Sequence, residues 1–239
     1  AATAAVRRSG RSSCQTDPAM TANRAAARQT VTERLRTDIL QGVFPPGDRL
    51  IELQLSERYE VGRAAIRAAL VELDAQGLVR RETNRGATVR RISVAEAVEI
   101  AEARAALEGL VARRAAERAT AADRKELRAL VAEMRAAVQD DDKLGYSRLN
   151  RTLHATLPRI AHHRVADDLI ANLRDRGVHH QFQLSLVPGR AAQSLAEHRA
   201  IVDAVVDGAP DAAETAMRAH LESVIEARRQ WEHLDRRGV

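Results

Sequence analysis

One cysteine, Cys14, stands in 239 residues, so no disulfide can form within the chain, a usage that fits a reducing compartment. Aromatic residues are almost as scarce: Phe44, Tyr59, Tyr146, Phe182 and Trp231 make up 2% of the chain. A core built nearly without them must pack small and branched aliphatic side chains, and the wealth of alanine, leucine and arginine favours helices for that purpose. No apolar run approaches the roughly 18 residues of a membrane span, and no membrane association is expected. "AATAAV" is too short for the apolar core of a signal peptide. The following "RRSGRSSCQTDPAMTANRAAARQ" is rich in arginine and serine and nearly free of acids. A transit peptide has a similar composition, but residues 1–27 read as a disordered basic tail.

What is present divides the chain in two. The length suffices for two compact domains, and the formal net charge of +5 is unevenly placed. Residues 1–92 hold 16 arginines against 10 acidic residues, while residues 93–239 hold 22 basic against 23 acidic. A polyanionic partner is therefore sought in the first third.

From Val31, "VTERLRTDILQGVF" puts Val31, Leu35, Ile39 and Leu40 on one helical face, with Gly42 as its stop. "PPGDRL" reads as a turn. "IELQLSERYEV" offers a short helix carrying Leu53, Leu55 and Tyr59, broken at Val61-Gly62. "RAAIRAALVELDAQG" is helical through Ile66, Leu70 and Leu73 to Gly77. "LVRRETNRGATVRRI" then reads as two strands joined by a turn containing Asn84 and Gly86. Three helices and a basic hairpin make a winged helix-turn-helix over residues 28–92. In such a domain the second helix of the turn enters the major groove. Arg63 and Arg67 lie four apart at its start and on one face, where their guanidinium forks can read guanine while Ile66 and Leu70 hold the core. Arg85 at the hairpin tip, with Gly86 beside it, is placed to enter the minor groove or grip phosphate. Exposed arginines are usually a solvated face; this set in this pattern points to double-stranded DNA, and hence to a cytoplasmic, nucleoid-associated protein.

The run "ILQGVFPPGDRLIELQLSERYEVGRAAIRAALVELDAQGLVRRETNRGATV" resembles the DNA-binding domain of the GntR family of bacterial transcriptional regulators across residues 29–92. It shares the gly-x-x-x-pro-gly turn, the style of helix start at Val61-Gly62-Arg63, and the hairpin ending in Arg85-Gly86. Two positions depart from the family. Gly62 stands where Ser or Thr is usual, and Leu53 where many members carry a base-contacting arginine.

Beyond Ser93, a candidate helix cap, the pattern is helical almost throughout. Thr120 caps a helix with the stripe Leu127, Leu130, Val131, Met134 and Val138. The next carries Leu149, Leu153 and Leu157 with Pro158 near its end, and another runs from about Val165 to Leu186. Two more join at Gly208-Ala209-Pro210. The prediction is a mainly α protein, with an all-α bundle of six or seven helices over residues 93–232 and a tail at 233–239. In the last hairpin His198 and His220 lie equally far from Ala209, each roughly 16 Å from the turn at 1.5 Å per residue. They therefore share one level, and both are in register with apolar neighbours. With His154, similarly placed, they make a metal cluster plausible, although a lone buried histidine is more often just a hydrogen-bonded core residue. His162, His163, His179 and His180 show no such pairing and read as surface or pocket-lining.

The segments "EIAEARAALEGLVARRAAE", "LNRTLHATL" and "LAEHRAIVDAVVDGAPDAAETAMRAHLESV" are similar to the FCD effector domain of the FadR subgroup of that family. The resemblance implies a divalent metal, zinc or nickel, on His154, His198 and His220, with Asn150 where the family has aspartate. It also implies that Arg104, which interrupts the apolar stripe of Ile100, Leu107 and Val111, lines an effector pocket and meets a small organic acid. The bland partner for Arg104 is Glu108, one turn away. A homodimer on a pseudo-palindromic operator, acting as a repressor, is the functional expectation. A hydrolytic zinc enzyme is the alternative that three histidines allow, but no His-Glu-x-x-His motif supplies its general base.

Overall fold

The structure, a computed structural model, describes residues 31–82, 86–185 and 189–235. The expected tail at residues 1–27 and the hairpin tip at Arg85 lie outside them. Residues 31–40 form helix α1, whose Val31, Leu35 and Ile39 are buried as the periodicity requires. Helices α2 (Glu52–Tyr59) and α3 (Arg63–Ala75) follow, and Leu55, Tyr59, Ile66, Leu70 and Leu73 complete the small core. Each such leucine or isoleucine contributes about 1.5–3 kcal/mol by leaving water. Leu53, expected on the apolar face of α2, is 47% exposed, because it falls on the side of this short helix turned away from α1 and α3.

Among the described residues three strands, not two, form the wing. Strand β1 (Arg49–Leu50) pairs antiparallel with β3 (Gly86–Val89), which also pairs with β2 (Val79–Glu82). The missing strand lay in the supposed turn "PPGDRL"; a strand of two residues is defined only by its partner. Gly86 sits at φ +84°, and a Cβ there would lie 2.5 Å from the carbonyl oxygen of Leu50. The fold itself therefore requires glycine at this position.

The bundle comprises six helices among the described residues: α4 (Val94–Arg118), α5 (Ala121–Gln139), α6 (Lys143–Ala161), α7 (Arg164–Ser185), α8 (Arg190–Val206) and α9 (Pro210–Asp235). Both predicted caps form. Ser93 accepts from the amide of Glu96, and Thr120 builds a reciprocal capping box with Asp123, satisfying amides that the first helical turn leaves unpaired. Helix α9 continues past the expected boundary at 232. Leu149 and Val138 pack only at the edge of the core.

Helices α4 and α9 run antiparallel along their lengths. Arg113 pairs with Asp211, while near the other end Arg228 donates to the carbonyl of Ala97 at 2.6 Å. Buried Ala97, Ala101, Ala112, Ala115 and Ala116 present little bulk and permit this close approach, which is how a core poor in aromatics is filled.

One turn of α7 joins the head to the bundle. Asn172 donates to the carbonyl of Gln76 at 3.3 Å, and Asp175 faces Arg36 at 3.5 Å. Arg176 shares Glu96 with Arg90, which also donates to the carbonyl of Gly77.

Candidate DNA interface and metal centre

Helix α3 presents the face that its sequence promised. Arg63 and Arg67 are exposed while Ile66 and Leu70 are buried beneath them. The Arg67 side chain, 59% exposed, is steadied by Glu52 of α2 at 3.1 Å. Gly62 occupies the N-cap with φ −66° and ψ 148°, and no side chain caps the helix. Arg80 and Arg81 of β2 are also exposed and extend the basic face along the wing.

The gap at Gly62 yields a first prediction. Its φ suits any residue, and a Cβ there meets nothing within 4 Å. Gly62→Ser should add the missing hydroxyl cap, stabilising the protein by a few tenths of a kcal/mol. It should also add a phosphate contact, raising affinity for specific and scrambled duplexes alike. Fluorescence titration of both duplexes at fixed salt tests this; a gain confined to one sequence would refute it.

In the bundle the three expected histidines converge. His154 of α6, His198 of α8 and His220 of α9 are all buried, and one ligand atom from each lies within 4.8 Å of the others. The His198 and His220 ring centroids stand 4.4 Å apart, as the matched distances from the turn required. Nε2 of His154 and Nε2 of His198 are 3.1 Å apart. Two nitrogens bound to one ion at about 2.0–2.1 Å are at most about 4 Å apart, so a small ring shift closes the set.

Each ring is aimed from behind. His154 donates its Nδ1 proton to Oε2 of Glu108 at 2.8 Å, and His220 donates its own to Oε2 of Glu197 at 2.7 Å. A carboxylate can only accept, so both Nε2 atoms carry a lone pair. His198 has Tyr146 at 3.1 Å and Ser194 at 3.3 Å from Nδ1. These hydroxyls can donate or accept, so His198 can release the proton on Nε2 without losing a partner. Such backing is what orients metal-ligating imidazoles.

Burial keeps the rings neutral. Burial, only partly offset by Glu108, pushes His154 down to about 4. Burial and the two neighbouring histidines hold His198 well below the usual range, and burial lowers His220 despite Glu197. Burial alone would raise Glu108, but Arg104, Arg174 and His154 hold its carboxyl well below the ordinary value. Glu197, likewise opposed by burial, falls to about 2 through hydrogen bonds from His220, Arg190 and Ser223. Neutral imidazoles are the form that ligates.

Asn150, one turn before His154, lines the same cavity, and its Oδ1 is buried with no hydrogen-bond partner among the described residues. An orphaned carbonyl oxygen lining the same cavity as His154 and His220 fits a cation or its bound water. Arg104 lines this cavity too. Its Nε donates to Glu108 at 2.8 Å, the bland pairing, yet Glu108 is shared with Arg174, whose Nη2 lies 2.9 Å from Oε2.

Arg174, Glu197, Tyr146, Ser194, Arg190 and Arg228 went unnoticed in the sequence; only Glu197, adjacent to His198 and facing His220, left a local hint. His162 is exposed at the left-handed end of α6 and His163 caps α7 through Ala166, so neither lines the cavity. The side chains of His179 and His180 lie outside the described set.

Residues 27–89 match the bacterial regulatory proteins of the gntR family, and residues 99–223 match the FCD domain. The chain belongs to the GntR family. The HTH-type transcriptional repressor RspR of Escherichia coli is 32% identical over 205 residues, covering 84% of this chain and 89% of its own. The regulator Rv0494 of Mycobacterium tuberculosis is 35% identical over 225 residues, covering 81% and 88%. Among solved structures, Escherichia coli McbR/YncC shares the fold at a TM-score of 0.72 and 20% identity, covering 86% of this chain and 98% of its own. This GntR-family chain is therefore a transcriptional regulator, with a DNA-binding head and a helical FCD domain, and not an enzyme. No helix among its described residues is long and apolar enough to cross a membrane.

Proposed function

We propose that the chain is a dimeric, ligand-responsive repressor. Its heads bind a pseudo-palindromic operator through Arg63, Arg67, Arg85 and the strands around Gly86, on the nucleoid in the cytoplasm. Its FCD domain holds a divalent ion, zinc or nickel, on His154, His198 and His220 with Asn150 as a neutral fourth donor, and takes a small carboxylate against Arg104. When bound, the ion supplies a Lewis-acid point that draws an anionic oxygen into the cavity. Its chemical work here is binding, and the surrounding side chains set the geometry.

The observation that carries this reading is the double engagement of α7. Arg174 holds Glu108 and the carbonyl of His154 at the site, while its helix neighbours Asn172, Asp175 and Arg176 meet Gln76, Arg36 and Glu96. An acid that draws Arg104 towards itself loosens the hold on Glu108, and Arg174 follows. A tenfold change in operator affinity takes only about 1.4 kcal/mol of coupling, comparable to one or two of these polar contacts.

Native mass spectrometry of the purified protein reports dimer, metal and retained acid together; a metal-free monomer would sink the reading. The same measurement on Asn150→Asp should show tighter metal retention, because a carboxylate replaces a neutral oxygen. An unchanged affinity would remove Asn150 from the ligand set.

A further inference from the structure

Arg228 is a cation of this cavity whose charge no described carboxylate answers. It lies on α9 two turns beyond His220 and on the same face, about 12 Å along the axis. Its side chain leans back towards the helix N-terminus, and so towards the histidines. It is 3% exposed and lines the cavity. One amino group donates to the carbonyl of Ala97 at 2.6 Å, while Nε is buried without a partner among the described residues. Burial and the charge of Arg104 together lower it to about 10.

The nearby carboxylates are already committed. Glu108 is taken by Arg104, Arg174 and His154, and Glu197 by Arg190, His220 and Ser223. A buried guanidinium with no counter-charge, facing the charge of a second one, is costly unless an anion joins it. That anion must enter from outside, and a guanidinium with an unused N–H is suited to a carboxylate.

We infer that Arg228 forms a second anion subsite, so that the acid taken by this cavity is a short dicarboxylate, with one carboxylate at Arg228 and the other beside Arg104 at the histidine end. This rests on the carboxylate-effector reading above and narrows it. A monoacid would leave Arg228 as it is now, buried and uncompensated.

Isothermal titration calorimetry on the full chain compares succinate with butyrate and glutarate with pentanoate. Each diacid should bind about 10- to 100-fold more tightly than its matched monoacid. Arg228→Met should close that gap by weakening the diacid alone, and Arg228→Lys should keep part of it. The wild-type comparison stands even if Arg228→Met folds poorly. Diacids binding no better than monoacids, or Arg228→Met weakening both equally, would overturn the second subsite and leave the carboxylate effector intact. Failure of all four acids to bind would overturn both.

Discussion

Arg67→Ala should abolish sequence-specific DNA binding while leaving the protein folded. A bidentate arginine–guanine contact discriminates by about 1–3 kcal/mol, and two heads on one operator roughly double that loss. Exposure sets the other half of the prediction. The side chain is 59% exposed, and its contact is an ion pair with Glu52, an arrangement that contributes about 0.2–1 kcal/mol at most. The urea midpoint should therefore hardly move. An operator selected in vitro from random duplexes supplies the probe, with a scrambled duplex as control. Scrambled DNA should lose only the share of one charge per head, since phosphate contacts carry non-specific affinity. A footprint identical to wild type would remove α3 as the reading helix.

Glu108→Gln should be the most destabilising single change in the FCD domain. The carboxylate is 2% exposed and faces Arg104, Arg174 and the Nδ1 proton of His154. Glutamine keeps the volume and one acceptor but removes the charge, leaving buried Arg104 and half-buried Arg174 without a counter-charge. Breaking a buried ion pair in this way costs about 3–5 kcal/mol, a large part of the 5–15 kcal/mol that holds an ordinary domain. Urea unfolding of the chelator-treated protein measures it without contribution from metal. Metal affinity should fall as well, by about 10- to 100-fold, because the group that aims His154 is weakened. A stability loss below about 1 kcal/mol would mean that the arginines find other partners and that Glu108 does not organise the site.

The legible parts of this molecule are those whose geometry is local. The apolar spacing of α1 and α3 exposes Arg63 and Arg67 and buries Ile66 and Leu70, so the reading face follows from a few turns of helix. His198 and His220 could be matched because a short hairpin fixes their register, and counting residues from Ala209 suffices. Strand β1 was hidden because two residues carry no pattern, and only Thr88 and Ala87 opposite make Arg49 and Leu50 a strand. Arg174 and Arg228 were hidden for a different reason. Each lies far along the chain from the carboxylate or carbonyl it reaches, and only the docking of α7 and α9 against α4 brings them there. Arg104 was visible as a flaw in an apolar stripe, but its competing partner Arg174 was not.

Because consecutive residues of α7 hold the site and the head, the influence proposed to cross the helix would run both ways. Whatever factor an acid imposes on operator affinity, the operator imposes on the affinity for that acid. Under the proposed function, DNA is then itself an effector of the FCD domain: a regulator seated on its operator and one free in solution would be two different receptors for the same acid. The concentration at which the acid acts would thus depend on how many operators are occupied.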